Sequence, residues 1–330
     1  RMAKAATEGS DLAFVKSTHS DTICPVADKT SPVDSWLIKR RYKPSMRPAV
    51  ELLILSMVLT SLTGCITTRS LELPSRDLIQ RGQLLIHSDF ELPERHRLVE
   101  ELTHLRLDIA RILNVRPSDE SIDVYLFKDA DRYDRYMAEH HPLLPTRRAF
   151  FIKSDTRLRV YAYWGEKVGE DLRHEVTHAY LHSAVPNLPL WLDEGLAEYF
   201  ETGRGTHGVH PAHIDLLAQQ MAQGHWQPDL THLENMTAIG EMNQLAYAES
   251  WLWVHFLLEG PPTRTDSKAA DLVSAQLRSL RDRGESEKIA HRLEQEIPNL
   301  RVSVIKHLET LNDLKTSTLD KRAKIDVSSL

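Results

Sequence analysis

From Leu84 onward the chain alternates short apolar runs with longer stretches of helical spacing. LLIHSDF from Leu84 and IDVYLF from Ile122 are brief runs rich in β-forming residues, and predict strands. The apolar positions over 95–113 recur at the spacing of an amphipathic helix, and a second helix is expected through Tyr133 and Tyr136. After Pro145, RAFFI from Arg148 and RLRVYAYW from Arg157 predict two more strands; in the latter, Leu158, Val160 and Ala162 alternate with Arg159, Tyr161 and Tyr163. Leu172, Val176 and Ala179 form the apolar stripe of a further helix, which Pro186 and Pro189 would end before another starts near Trp191. Beyond Phe200, ETGRGTHGVHPAH reads as a glycine-rich loop. Helices are then expected over 211–222, 245–259, 267–283 and 300–311, with a frayed polar end over 315–330.

Composition changes this picture little. With 330 residues, 41% hydrophobic and 27% charged, the chain is globular material for one or two domains. A net charge of −6 offers no basic footprint for nucleic acid. The two cysteines are Cys24 and Cys65, and neither an internal repeat nor a low-complexity array stands out.

The chemistry concentrates in DLRHEVTHAYLHSAVPNLPLWLDEGLAEYF, from Asp171 to Phe200. Residues four apart on a helix share one face, so His174 and His178 can both aim an imidazole nitrogen at one ion. Glu175 sits beside them, within reach of a water on that ion. A catalytic zinc takes three protein ligands and keeps one position open, and Glu194 on the following helix is a plausible third. An ordinary amphipathic helix with surface histidines would explain the apolar stripe equally well. It would not explain a second helix that sets Glu194 and Glu198 one turn apart beside Trp191, Leu192 and Leu196. The histidines at 207, 210 and 213 straddle glycines and a proline without a regular face, and are read as a mobile rim of the cleft rather than a second metal site.

HEVTH followed by LPLWLDEGLAEYF resembles the gluzincin zinc peptidases, in particular the small bacterial peptidase-MA-like families, from about Leu84 to about Glu259. The resemblance implies an α+β, zincin-like fold with an upper lobe over 81–200 and a helical lower lobe over 201–312. It implies one zinc ion held by His174, His178 and Glu194, with Glu175 as general base and a peptide or protein as substrate. It also implies that Glu198 orients the first histidine, the alternative being a solvated helix charge. In such enzymes a tyrosine or histidine of the lower lobe stabilises the oxyanion; Tyr247 is the candidate, a core tyrosine the alternative, and His255 is read as packing. The strand before the active helix, 157–163, would be the edge that pairs with an extended substrate. No exopeptidase motif is found, which favours endopeptidase action; a peptidoglycan peptide amidase and a non-catalytic envelope lipoprotein on the same scaffold are the rivals.

Upstream, AVELLILSMVLTSL from Ala49 is too short to span a membrane and runs into Leu62, Thr63, Gly64 and Cys65. Basic start, short apolar run and small-residue cleavage site make a secretory signal over 46–64, and LTGC resembles a bacterial lipobox, which implies a lipid anchor on Cys65. The residue after it is Ile66 rather than aspartate, so an outer-membrane, periplasm-facing address is expected. Residues 1–45 are read as unstructured, the product of an upstream start assigned in error or else a long basic leader, 65–80 as a tether, and 313–330 as a polar tail. The chain after cleavage would hold no disulfide.

Overall fold

The computed structural model describes residues 14–15, 72–260, 269–284 and 288–328, with side chains up to 317. The lipobox, the signal segment and nearly all of the first 45 residues lie outside these. The fold is α+β: a small mixed sheet and a larger set of helices.

The strands are β1 (Phe14–Val15), β2 (Asp77–Arg81), β3 (Leu84–Ser88), β4 (Ile122–Phe127), β5 (Ala149–Ser154) and β6 (Arg157–Tyr163), in the order β1-β5-β6-β4-β3-β2. β2 and β3 form a tight hairpin turning at Gly82, whose φ of 57° favours glycine. β3, β4 and β6 run parallel, and β5 returns antiparallel on β6. Helix α1 (Arg97–Leu113) connects β3 to β4, and α2 (Ala130–His140) precedes β5.

One face of the sheet lies on the main core, and the other is covered at β4, β5 and β6, where β4 and β5 read as nearly continuous apolar runs. Val124, Leu126, Val160 and Ala162 join the main core. On the opposite face Phe127 meets Tyr133 of α2 at 5.6 Å between ring centroids, and Tyr161 stacks near Tyr136 at 6.0 Å.

Two expectations are corrected here. The 157–163 strand is not an edge: β6 lies between β5 and β4, because β5 folds back onto it across Asp155 and Thr156. The end of the expected tether is β2, a strand whose one buried residue is Ile79, too slight a pattern to announce itself.

The helices that follow are α3 (Val168–Ala184), α4 (Leu190–Glu201), α5 (Pro211–Ala222), α6 (Leu230–Asn235), α7 (Gln244–Glu259), α8 (Ala269–Arg283), α9 (Ile289–Glu296) and α10 (Leu300–Ser328). The polar end is therefore helical backbone as far as Ser328, not frayed from 315. α3 packs on β5 and β6, α4 packs on α3, and α7 packs on α4. The α4–α7 crossing is close enough that a Cβ on Gly195 would lie 2.4 Å from the carbonyl oxygen of Ser250. Glycine beside Glu194 is thus a packing requirement. No helix among the described residues is long and apolar enough to cross a membrane.

Candidate metal centre

α3 is anchored at its first turn by buried Asp171, which accepts from Arg148 through Nε at 3.0 Å and Nη2 at 2.8 Å. A carboxylate in the first turn also suits the helix dipole. From that anchor His174 and His178 follow on one face. Glu194 arrives from α4, and none of the three residues, nor Glu175, is more than 1% exposed.

The geometry of the two imidazoles decides what they can do. His174 Nδ1 lies 2.9 Å from Glu201 Oε2, and His178 Nδ1 lies 2.7 Å from Asp193 Oδ1. Each carboxylate takes an N–H from the ring, which leaves the other nitrogen, Nε2, as a lone pair. Those two Nε2 atoms face each other at 3.2 Å. Glu194 Oε2 is 3.6 Å from one and 3.8 Å from the other. Two lone pairs and a carboxylate oxygen converging in a buried space repel unless something positive lies among them. Donors about 2.0–2.1 Å from an ion at tetrahedral angles stand about 3.3–3.4 Å apart, close to this triangle. His174, His178 and Glu194 could therefore hold a metal ion.

When no ion is bound, a proton on His174 can take that place. Burial opposes protonation of His174, yet hydrogen bonds with Glu194 and Glu201 hold its pKa well above the ordinary imidazole range. Burial pushes Glu175 up to about 7, with His174 and His178 pulling it down. Glu175 Oε2 accepts the backbone N–H of Phe151 on β5 at 2.7 Å, and its Oε1 is buried without a hydrogen-bond partner. One oxygen is fixed and the other has no hydrogen-bond partner within the protein.

Sequence reasoning brings four of these residues together and misassigns the outer carboxylate. Glu198 does not hold His174: its Oε2 is 2.8 Å from His213 Nε2, and Glu201, one turn further along α4, holds His174 instead. Burial tends to raise Glu201, but its bonds to His174 and His210 hold it far below the carboxylate range. Its signal is present, since Glu194, Glu198 and Glu201 recur at i, i+4 and i+7 on one helix face. Asp193, which holds His178 and also lies 2.6 Å from His182 Nε2, escapes that reasoning as well. His182 continues the 174–178 stripe by one more turn.

Tyr247 is buried in the first turn of α7. Burial and then the Glu194 carboxylate raise its pKa, and the Arg147 guanidinium lowers it. It therefore belongs to the surroundings of Glu194. The histidines expected as a mobile rim divide: His207 is exposed, whereas His210 and His213 turn inward against α4. A comparison with protein-family models finds no match, and neither does a comparison with curated proteins.

Proposed function

We propose that this chain is a zinc-dependent metallopeptidase, an endopeptidase of the bacterial envelope carrying a lipid anchor on Cys65. The observation that carries the reading is the convergence of two imidazole Nε2 atoms and the Glu194 carboxylate beside a second, half-satisfied carboxylate, Glu175. Imidazole and carboxylate donors at this spacing suit zinc, and a metal-binding scaffold alone has no need of Glu175.

Zinc, when bound, supplies Lewis acidity to water and to a carbonyl oxygen. Glu175 Oε1 takes the proton of the attacking water and returns it to the leaving amine nitrogen. A carboxyl pushed to about 7 by burial is matched to that exchange near neutral pH. The Phe151 N–H keeps the carboxylate from rotating away. Tyr247 would donate a hydrogen bond from its hydroxyl to the substrate carbonyl oxygen as charge develops there, and keep its proton.

The test is zinc content measured together with cleavage of a quenched peptide library by the purified chain. One tightly held zinc and cleavage that stops in Glu175→Gln support the reading. Zinc without cleavage of peptides or muropeptides would leave a binding protein. For the anchor, mass spectrometry of the mature amino terminus decides: an acylated Cys65 is expected, and peptides from residues 3–43 in the mature protein would refute it.

A further inference from the structure

The same face of α4 that supplies Glu194 presents a second cluster one turn further along, towards α5. Glu198 Oε2 is 2.8 Å from His213 Nε2 and 3.9 Å from His210 Nε2, and the three donor atoms lie within 4.8 Å of one another. The two imidazoles stack face to face with centroids 3.8 Å apart. Glu198 and His213 are buried, and the His210 side chain is 17% exposed, so the cluster reaches the surface only through that ring.

We propose that Glu198, His210 and His213 bind a second divalent cation, of the zinc class, that pins α5 to α4. Three arguments carry this. The donors are two imidazoles and a carboxylate, a set that selects zinc-like ions over magnesium or calcium. Glu198 and Glu201 bring two negative charges into the interior within one turn, and buried charge requires compensation. Finally, His210 and His213 stand at the start of α5, so an ion there would tie the first turn of this helix to α4.

This site binds more weakly than the first. Its donors have partners without an ion: His213 pairs with Glu198, and His210 Nε2 lies 2.8 Å from Glu201 Oε1. His210 Nδ1 also accepts the backbone N–H of His213 at 3.4 Å, so coordination through Nε2 requires the ring proton to shift and this cap to be given up. Binding therefore displaces protons as well as filling a space. The proposal needs only these residues and is independent of the peptidase reading.

Native mass spectrometry of the chain dialysed against zinc, followed by stepwise chelation, tests it. Two zinc ions per chain are expected, one released at far lower chelator concentration than the other. His210→Ala and His213→Ala should each leave one ion, the tightly held one. His178→Ala should also leave one, the weakly held one. His213→Gln keeps a donor for Glu198 without the imidazole, and covers the case in which His213→Ala fails to fold. A single ion in the parent chain, or a second ion that survives both His210→Ala and His213→Gln, overturns the proposal.

Discussion

Two histidine–carboxylate clusters lie side by side along one face of α4 with Glu201 bonded to a histidine of each, built from the same residue types and almost equally buried, yet their internal hydrogen bonding differs. On the α3 side the carboxylates of Glu201 and Asp193 stand behind the rings, so both Nε2 lone pairs are turned inward on each other at 3.2 Å. On the α5 side each ring meets its carboxylate directly, at 2.8 Å in both cases. The first arrangement already aims three donor atoms at one point, where a cation replaces at most a proton, whereas in the second a cation must displace hydrogen bonds between ring and carboxylate. Residue inventory does not separate strong from weak metal sites. What separates them is which ring nitrogen the carboxylate occupies.

The largest expected effect breaks the first cluster outright. His174→Ala or Glu194→Ala should lose the tightly bound zinc and all hydrolysis, measured by metal analysis after gel filtration. Stoichiometric tight zinc in either variant would refute the ligand assignment. Glu175→Gln is next: zinc should stay, while kcat falls by about 10²–10⁴-fold, the usual contribution of a general base. If zinc leaves with it, Glu175 is holding the ion or its neighbours rather than moving protons.

A smaller effect sharpens the contrast between the two clusters. Replacing Glu201 or Asp193 by Ala frees the ring it orients, and should weaken tight zinc binding by about 10–100-fold. Glu198→Ala should leave that affinity within about twofold, since Glu198 bonds His213 and not His174; the same expectation would apply to any outer residue that touches no ligand. Competition with a chromogenic chelator measures all three. Equal losses for Glu198 and Glu201 would mean that the two carboxylates act as one unit.

Much of this contrast is legible in the order of residues along the chain. β4 (Ile122–Phe127) and α5 (Pro211–Ala222) fall where the patterns predict them, because both carry strong local signals: a β-rich run and a proline at the helix start. His174, Glu175, His178 and Glu194 are legible because helical spacing makes them neighbours. The position of β6 inside the sheet is not, since strand order depends on which hairpin folds back on which neighbour, and RAFFI and RLRVYAYW look alike in that respect. The inward turn of His210 and His213 is hidden for a related reason. The helix that they start has its polar and apolar faces set by contacts with α7 and α10, and those contacts are remote in sequence.

A third histidine pair supplies the smallest effect and completes the comparison, because its two rings meet each other with no carboxylate in hydrogen-bonding contact among the described residues. His255 Nδ1 lies 2.9 Å from His307 Nε2 where α7 meets α10. Burial pushes each imidazole down to about 4, and Glu259, the nearest acidic influence, raises His307 too little to offset it. In the unfolded chain both return to about 6.5. A folded pKa below the unfolded one means that this stability is complete above about pH 6.5 and is lost as pH falls towards 4, because the unfolded state takes up protons that the folded pair refuses. Each histidine that stays neutral should cost about 2 kcal/mol between pH 7.5 and pH 5. His210, raised by Glu201 against its burial, works in the opposite direction, so the pair must be isolated by difference. Urea unfolding at pH 7.5 and pH 5, at fixed zinc, should show a smaller pH-dependent loss in the His255→Phe, His307→Leu double variant than in the parent chain. Equal losses would show that the pair is protonated in the fold and that burial there is less complete than the packing of Trp251 and Phe256 around it indicates.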